Sequence, residues 1–357
     1  MLDLGGISRR LLLASMVAAF PLAANAQQVI KLTAVDGYPP RALWVKEFIE
    51  FFIPEVDKRL AKSGKYKIEW IQGWSGQIVK IRSVLDGIQN GLGDIGVVTT
   101  VFYGDRLPLN NLPYYVPFTS QNPHLVSRTM DKLAETFPAF RKQFDDVNQV
   151  VLTSFSTIDD YGIFVKSPVS KAADLKGMKI NMAGANALYL SAVGAVGVAG
   201  DLVTYYNNIK TGVVDGAIMW MEGGTTFKLY EVAPYYLNVG FGTAVNKAIT
   251  MNKNTWMKLP DEVKNVLQEV AVAYRERLSD LSASLGAKAL KAHLANGGKV
   301  VEFSVADRTA WAQSLPNIAR TWAENAEKKG LPGKAFLAAY MKALRDGGAK
   351  PLRDWEK

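Results

Sequence analysis

Apolar positions along the chain recur at two spacings. Runs that are continuously apolar or alternate every second residue predict strands, and apolar residues three and four apart predict helices. Val29 to Val35 is an apolar strand, closed by the loop Asp36-Gly37-Tyr38-Pro39-Pro40. Leu43 to Leu60 carries Trp44, Phe48, Phe51 and Phe52 at helical spacing, which makes them core aromatics of an amphipathic helix. Lys65 to Ile71 predicts the next strand, ending in Gly73-Trp74-Ser75-Gly76. Ile78 to Asn90 predicts a helix and Ile95 to Thr100 a buried strand. The stretch Leu107 to Pro117, rich in proline, asparagine and aromatics, reads as a structured loop.

One helix is predicted from near Asn122 to Phe144, then the strands Val147 to Phe155 and Tyr161 to Lys166. A compact unit follows: strand Met178 to Met182, helix Ala187 to Val193, strand Gly197 to Ala199, helix Leu202 to Thr211, strand Gly216 to Trp220. Leu237 to Met251 is β-rich and returns the chain towards its first half. Asp261 to Ala295 keeps Val263, Leu267, Val270, Tyr274, Leu278, Leu281 and Leu285 on one stripe. Pro260 before it and Gly297-Gly298 after it punctuate one long helix. Lys299 to Phe303 predicts a short strand, and a helical tail with Trp311, Trp322 and Trp355 completes the chain. Strands interleaved with helices over this length predict an α/β protein of two domains.

The N-terminus changes where that protein is expected to work. Arg9-Arg10, the apolar run Leu11 to Ala23 and Ala24-Asn25-Ala26 read as a secretory signal cleaved after Ala26, too short to span a bilayer. Ser8-Arg9-Arg10-Leu11-Leu12 also fits a twin-arginine signal loosely. The expected product is exported and periplasmic. Of the net charge of +9, loss of Arg9, Arg10 and Asp3 leaves 40 basic and 32 acidic residues. The charges are scattered, with no basic stripe, so no nucleic-acid partner is expected. The chain has no cysteine, which leaves disulfides and thiol chemistry out.

Signals for catalysis are few. The two histidines, His124 and His293, lie far apart in no metal-ligand spacing, and no Gly-x-Ser-x-Gly elbow occurs. Gly91-Leu-Gly93-Asp-Ile-Gly96 has the spacing of a dinucleotide fingerprint, but a helix precedes it and a strand follows, the reverse of what a phosphate-binding turn needs. The acid pairs Asp145-Asp146 and Asp159-Asp160 are adjacent, so an extended chain points their members to opposite faces. No catalytic residue, metal or cofactor is expected, and a secreted enzyme is the contrasting class with least support.

Two motifs then carry a resemblance. Asp174-Leu-Lys-Gly-Met-Lys-Ile-Asn181-Met is followed about thirty residues later by Thr211-Gly-Val-Val-Asp-Gly216. With Asp86 to Gly96, Pro168 to Ile180, Tyr205-Tyr206, Lys228 to Val232 and Leu259 to Val263, in that order, the chain resembles the solute-binding proteins of TRAP (tripartite ATP-independent periplasmic) transporters. The resemblance implies a two-lobed periplasmic binding protein with crossing hinge strands and a long helix spanning both lobes. Lobe I is expected at 27–150 plus 238–260, lobe II at 151–237, the spanning helix at 261–297, and 298–357 packing on the lobes. It implies a small-molecule solute held in the interlobe cleft and handed to a small and a large membrane subunit. An ABC-type importer component or a periplasmic sensor subunit are alternatives of the same kind.

The resemblance also carries site positions. Tyr206 falls where a tyrosine commonly faces the ligand, and Met219 where the family has an asparagine. Asn181 falls where most members carry the arginine that grips a carboxylate, and a second frequent arginine falls near Asp160. Asparagine donates hydrogen bonds but supplies no charge. Three accounts follow. Arg41 or Arg82 supplies the missing charge, although both also read as surface arginines. Alternatively the ligand has an apolar or aromatic body that stacks on Trp220, Trp74 or Tyr38, each of which also reads as core. Or the ligand is neutral or an amine, met by Asp160, Glu222 or Asp36. The first two accounts combine into a small organic acid with an apolar portion.

Overall fold

The computed structural model describes residues 27–357, so the signal reading of residues 1–26 lies outside the described residues. Continuously apolar runs need cover on both faces, and eleven strands obtain it in two separate sheets among the described residues. They are β1 (Gln28–Val35), β2 (Tyr66–Gly73), β3 (Ile95–Thr99), β4 (Gln149–Phe155), β5 (Tyr161–Val165) and β6 (Lys179–Met182). Then follow β7 (Val196–Ala199), β8 (Gly216–Trp220), β9 (Tyr235–Asn238), β10 (Lys247–Asn252) and β11 (Lys299–Glu302). The first lobe is built on the order β2-β1-β3-β10-β4 and the second on β11-β9-β5-β8-β6-β7.

Strand direction sets what meets what. In the first sheet β1 runs parallel to β2 and β3, while β10 runs antiparallel to both β3 and β4. The carboxyl ends of β1, β3 and β4 and the start of β10 therefore lie at one end of that sheet. In the second sheet β6 runs parallel to β7 and β8, and β5 runs antiparallel to β8 and β9. The carboxyl ends of β6, β7, β8 and β9 gather with the start of β5. The chain crosses between these two ends twice, at residues 156–160 and 239–246.

The two crossings are bonded to each other. Asn246 N–H donates to Phe155 O, Tyr161 N–H to Gly242 O and Phe241 N–H to Tyr161 O. The Asn246 side-chain oxygen accepts from Thr157 N–H, and the hydroxyls of Ser156 and Thr243 pair at 2.7 Å. β4 pairs with β10 along its whole length, so the first crossing begins at Ser156, five residues beyond the boundary read from sequence.

A third connection is the helix Asp261–Ala295. Tyr274 donates to Trp44 O in the first lobe, while Thr225 of the second lobe donates to Ala289 O at 3.5 Å. Between these points Gly286 makes a notch, because a Cβ there would collide with the carboxylate of Asp159 in the first crossing. Glu276 ties the same helix to the helix Pro123–Thr136. It accepts from His124 Nδ1 at 3.0 Å and from Arg128 Nε at 3.0 Å, and Arg275 Nη2 lies at 2.7 Å. Partial burial opposes ionisation of Glu276, but Arg128, Arg275 and His124 outweigh it and bring its pKa down to about 2. A depressed carboxyl contributes stability above its unfolded value, about 4.5, and loses it as pH falls through the folded value. Glu276→Gln should therefore lower the thermal midpoint at neutral pH, and the gap to wild type should close on acidification. A gap that stays constant into strong acid would contradict this account.

Three helices differ from their predicted form. Residues 43–60 are helical throughout, but Phe48–Phe52 widens into a π turn. Pro54 has no N–H to return to Glu50, which leaves the ladder free to shift there. The helix predicted from Asn122 to Phe144 is two, Pro123–Thr136 and Pro138–Asp145. Pro138 holds Phe137 extended, at φ −112° and ψ 99°. In the stretch from Ile78 to Asn90 only Ile81–Ser83 and Val84–Gln89 are helical. Gly91 then takes φ +76° and β3 follows, the helix-to-strand turn that the glycines predict.

Candidate functional site

In open α/β sheets the crevice outside the carboxyl ends of the strands is where loops diverge and ligands fit. Here the strand ends of both sheets face one seam, and both lobes place aromatic side chains in it. From the first lobe come Tyr38, in the loop after β1, and Trp44, at the start of the next helix. Both are buried and their rings meet edge to face at 4.9 Å. Asp36, at the end of β1, accepts from Tyr38 N–H at 2.8 Å and from Trp44 Nε1 at 3.0 Å. Burial raises the Asp36 pKa, against those donors and the nearby Lys247.

The second lobe answers with Tyr161 at the start of β5, Trp220 at the end of β8, and Tyr205 on the helix Leu202–Lys210. Tyr161 and Trp220 meet edge to face at 6.0 Å. Tyr161 also pairs with Tyr114 at 3.2 Å. Burial raises the pKa of Tyr38, Tyr114 and Tyr205, so these phenols are neutral donors and acceptors at physiological pH.

Besides the Tyr114–Tyr161 pair, and the bond from the Tyr189 hydroxyl to Tyr114 O at 2.8 Å, the lobes touch across the seam at further places. The Leu202 backbone lies close to the Tyr38 hydroxyl. Arg82, in the turn Ile81–Ser83, donates to Gly200 O at 2.7 Å while its guanidinium lies 4.2 Å from the Phe102 ring centroid. That turn is held close, since a Cβ at Gly37 would collide with the Ile81 backbone. Arg41 sits over the Phe227 ring at 5.2 Å. Val101, just after β3, packs against Gly184, just after β6.

The residues singled out from sequence divide accordingly. Tyr38 and Trp220 lie in the seam, and Arg82 and Arg41 cross it, the one committed to a carbonyl and the other over a ring. Asn181 is fully buried within the second lobe, donating to Val198 O at 3.1 Å and accepting from Asn208 at 3.0 Å. Both ends of its amide are thus used by its own lobe. Tyr206 lies at the edge of the seam. It is half-buried, donates to Glu231 at 2.8 Å, and lines a groove of about 350 Å³ with Arg41 of the first lobe and Leu202 and Phe227 of the second. Its neighbour Tyr205 points inward, because Leu202, Tyr205 and Ile209 form the buried stripe of that helix.

Asp160 does not face the seam. It accepts from Gly242 N–H at 2.8 Å and from Gln121 at 2.7 Å on the other side of the hinge, where burial pushes its pKa up to about 7. Glu222 is engaged by Trp220 Nε1 at 3.0 Å and Thr226 at 2.7 Å, and burial raises its pKa. Met219 is buried and packs with Trp220 on Gly223. Trp74 bonds Gln72 at 3.0 Å and meets Phe48 edge-on at 5.8 Å, a core position of the first lobe.

Sequence reasoning did not select Lys247, Trp44, Tyr161 or Tyr205 for the site. Lys247 had a signal, since it is the only charged residue between Val232 and Asn252. Among the described residues no group of three or more His, Cys, Asp or Glu gathers as metal ligands, and no helix is long and apolar enough to cross a membrane.

Comparison with known proteins gives a consistent picture. The family model described as bacterial extracellular solute-binding protein, family 7, matches residues 37–325. A monocarboxylate 2-oxoacid-binding periplasmic protein of Nostoc is 26% identical over 274 residues, 73% of this chain and 72% of the relative. Among solved structures, a TRAP periplasmic solute-binding protein from Bordetella bronchiseptica with bound mandelate has a TM-score of 0.77 at 21% identity. The match covers 89% of this chain and 99% of that one. A TRAP solute-binding protein from Rhodoferax ferrireducens in complex with copurified benzoate gives 0.77 at 19% identity, over 89% and 98% of the two chains.

Proposed function

The chain belongs to the bacterial extracellular solute-binding proteins of family 7, the solute-binding component of TRAP transporters, and from that premise we propose that it captures a small organic acid in the seam between its lobes. The solute has an apolar or aromatic portion. The carrying observation is that Tyr38 of the first lobe, backed by Trp44, lies near Tyr205 of the second, while Tyr161 and Trp220 pack together at the second lobe's strand ends. A flat solute between them is held by rings and phenol hydroxyls on both sides. Contact with both lobes stabilises their closed arrangement, which is hinge closure driven by differential affinity. Arg82 on Gly200 and Arg41 over Phe227 act as latches on that arrangement.

The loaded protein works in the periplasm and docks on the small and large membrane subunits of its transporter. It performs no chemistry on the solute. Relatives described with mandelate, benzoate and 2-oxoacids support the acid class. The test is a thermal-shift screen of the mature protein against aliphatic acids, aromatic acids, sugar acids, amines and polyols. A ligand at a hundredfold excess over its Kd stabilises the folded state by about 2.7 kcal/mol, which raises the midpoint by roughly 2–4 °C or more. Aromatic monocarboxylates are expected to give the largest shifts. Hits confined to amines and polyols would overturn the reading.

A further inference from the structure

An acid in this seam needs a cation, and the arginines first considered are occupied. Lys247 is different. It opens β10, opposite Thr99 and Phe155, at the strand ends that face the second lobe. Its residue is 2% exposed. Its Nζ stands 4.0 Å from the centroid of the Trp44 ring and 5.8 Å from that of Tyr38. No hydrogen bond supports the ammonium among the described residues. Burial lowers its pKa, and Asp36 opposes this only through space, its oxygens being the acceptors for Tyr38 N–H and Trp44 Nε1.

The side chain is buried, but its Nζ has no protein acceptor among the described residues and is not itself fully enclosed, so an anionic partner can reach it. The family resemblance expects an arginine at Asn181, where this chain has a neutral amide spent on its own lobe. We propose that Lys247 receives the carboxylate of the solute, with the apolar body of that solute lying along Trp44 and Tyr38. This rests on the organic-acid reading and narrows it. Lys247 supplies one positive charge, and Arg41 and Arg82 are held in cross-lobe contacts, so the site takes a monocarboxylate in preference to a dicarboxylate. The charge has moved from the second lobe to the first, from a strand end to the facing strand end across the seam.

The experiment titrates the wild type and Lys247→Met with benzoate and mandelate, and with the matched uncharged amides benzamide and mandelamide. Methionine keeps length and apolar volume; because it leaves Asp36 without its nearby cation, affinities are compared at a temperature where both proteins are fully folded. The expected result is that the wild type prefers acid over amide and that Lys247→Met loses about a hundredfold in acid affinity. Amide affinity should stay within a few-fold, so the acid-to-amide ratio falls towards one. Acid affinity retained in Lys247→Met overturns the role of Lys247 and leaves the organic-acid reading standing. A lowered midpoint, with acid and amide weakened alike, would make Lys247 a structural partner of Asp36 and overturns it too. Wild type that binds neither these acids nor any other acid of the screen overturns the organic-acid reading itself, and the proposal with it.

Discussion

Replacing Gly184 with valine is expected to abolish the response of the protein to its solute while leaving both lobes folded. Gly184 follows β6 in the second lobe and has φ +55°, in the left-handed region that a β-branched residue rarely enters. Strain of about 1–2 kcal/mol follows from that alone, well short of the 5–15 kcal/mol by which domains are usually stable. The larger effect is steric. A Cβ at this position would lie 2.6 Å from Val101 O and 2.6 Å from Val101 Cγ2. A backbone oxygen cannot swing aside as the tip of a long side chain can. Val101, however, belongs to the other lobe, so the cheapest relief is for the lobes to part. Closure and the ligand-linked thermal shift should then disappear together, with a small drop in the ligand-free midpoint. Small-angle scattering with and without the best acid of the screen reads closure directly. Full compaction and a full thermal shift in Gly184→Val would show that the Val101–Gly184 contact is not part of the closed arrangement.

Much of the scaffold that creates this contact was legible in the sequence, and the reasons are local. The long helix was bounded correctly because Pro260 and Gly297 punctuate its ends and a stripe of three- and four-residue steps fills it. The order of strands and helices was legible because buried strands form unbroken apolar runs. Pro138 was also visible, but its effect falls on the residue before it, and the apolar stripe continues through the break at Phe137. The two crossings were harder. Residues 156–160 and 239–246 satisfy one another through backbone and side-chain hydrogen bonds, an arrangement that no periodicity marks.

Where the candidate residues sit in the fold was legible only in part. Of Tyr38, Trp74 and Trp220, named from sequence as surfaces on which an apolar solute could stack, Tyr38 and Trp220 lie at the strand ends and Trp74 in the first lobe's core. Tyr206 was selected from the family motif, whereas the stripe Leu202, Tyr205, Ile209 marks Tyr205 as the buried tyrosine of that helix. Cations were harder because a sequence shows a charge and not its partner. Arg82 and Arg41 read alike on paper, yet the fold gives one a carbonyl and the other a ring. Lys247 was hidden by its setting in an apolar strand, where a lone charge is easily passed over. It became apparent only when the sheet order put β10 between β3 and β4, with its first residue at the seam.

Trp44→Ala is expected to be the most destabilising single change near the seam, and a comparison with Trp44→Phe should separate its two causes. The indole is 1% exposed, supports the Tyr38 ring edge-on at 4.9 Å and lies under the Lys247 ammonium at 4.0 Å. Truncation of a buried tryptophan to alanine costs about 3–5 kcal/mol, through lost transfer energy and the cavity left behind. The indole N–H is also one of the donors to Asp36 at 3.0 Å. Asp36 is fully buried, so losing that donor adds about 1–3 kcal/mol. Phenylalanine keeps a ring beneath the ammonium and against Tyr38 but cannot donate. The unfolding midpoints in denaturant should therefore fall in the order wild type, Trp44→Phe, Trp44→Ala, with both gaps measurable. A Trp44→Phe midpoint equal to wild type would mean that Asp36 does not depend on the indole, and the loss in Trp44→Ala would then be packing alone. The order also bears on the solute. If the ring is the surface on which an apolar body lies, Trp44→Phe should retain most of the thermal shift with aromatic acids, and Trp44→Ala should lose it even under conditions where the variant remains folded.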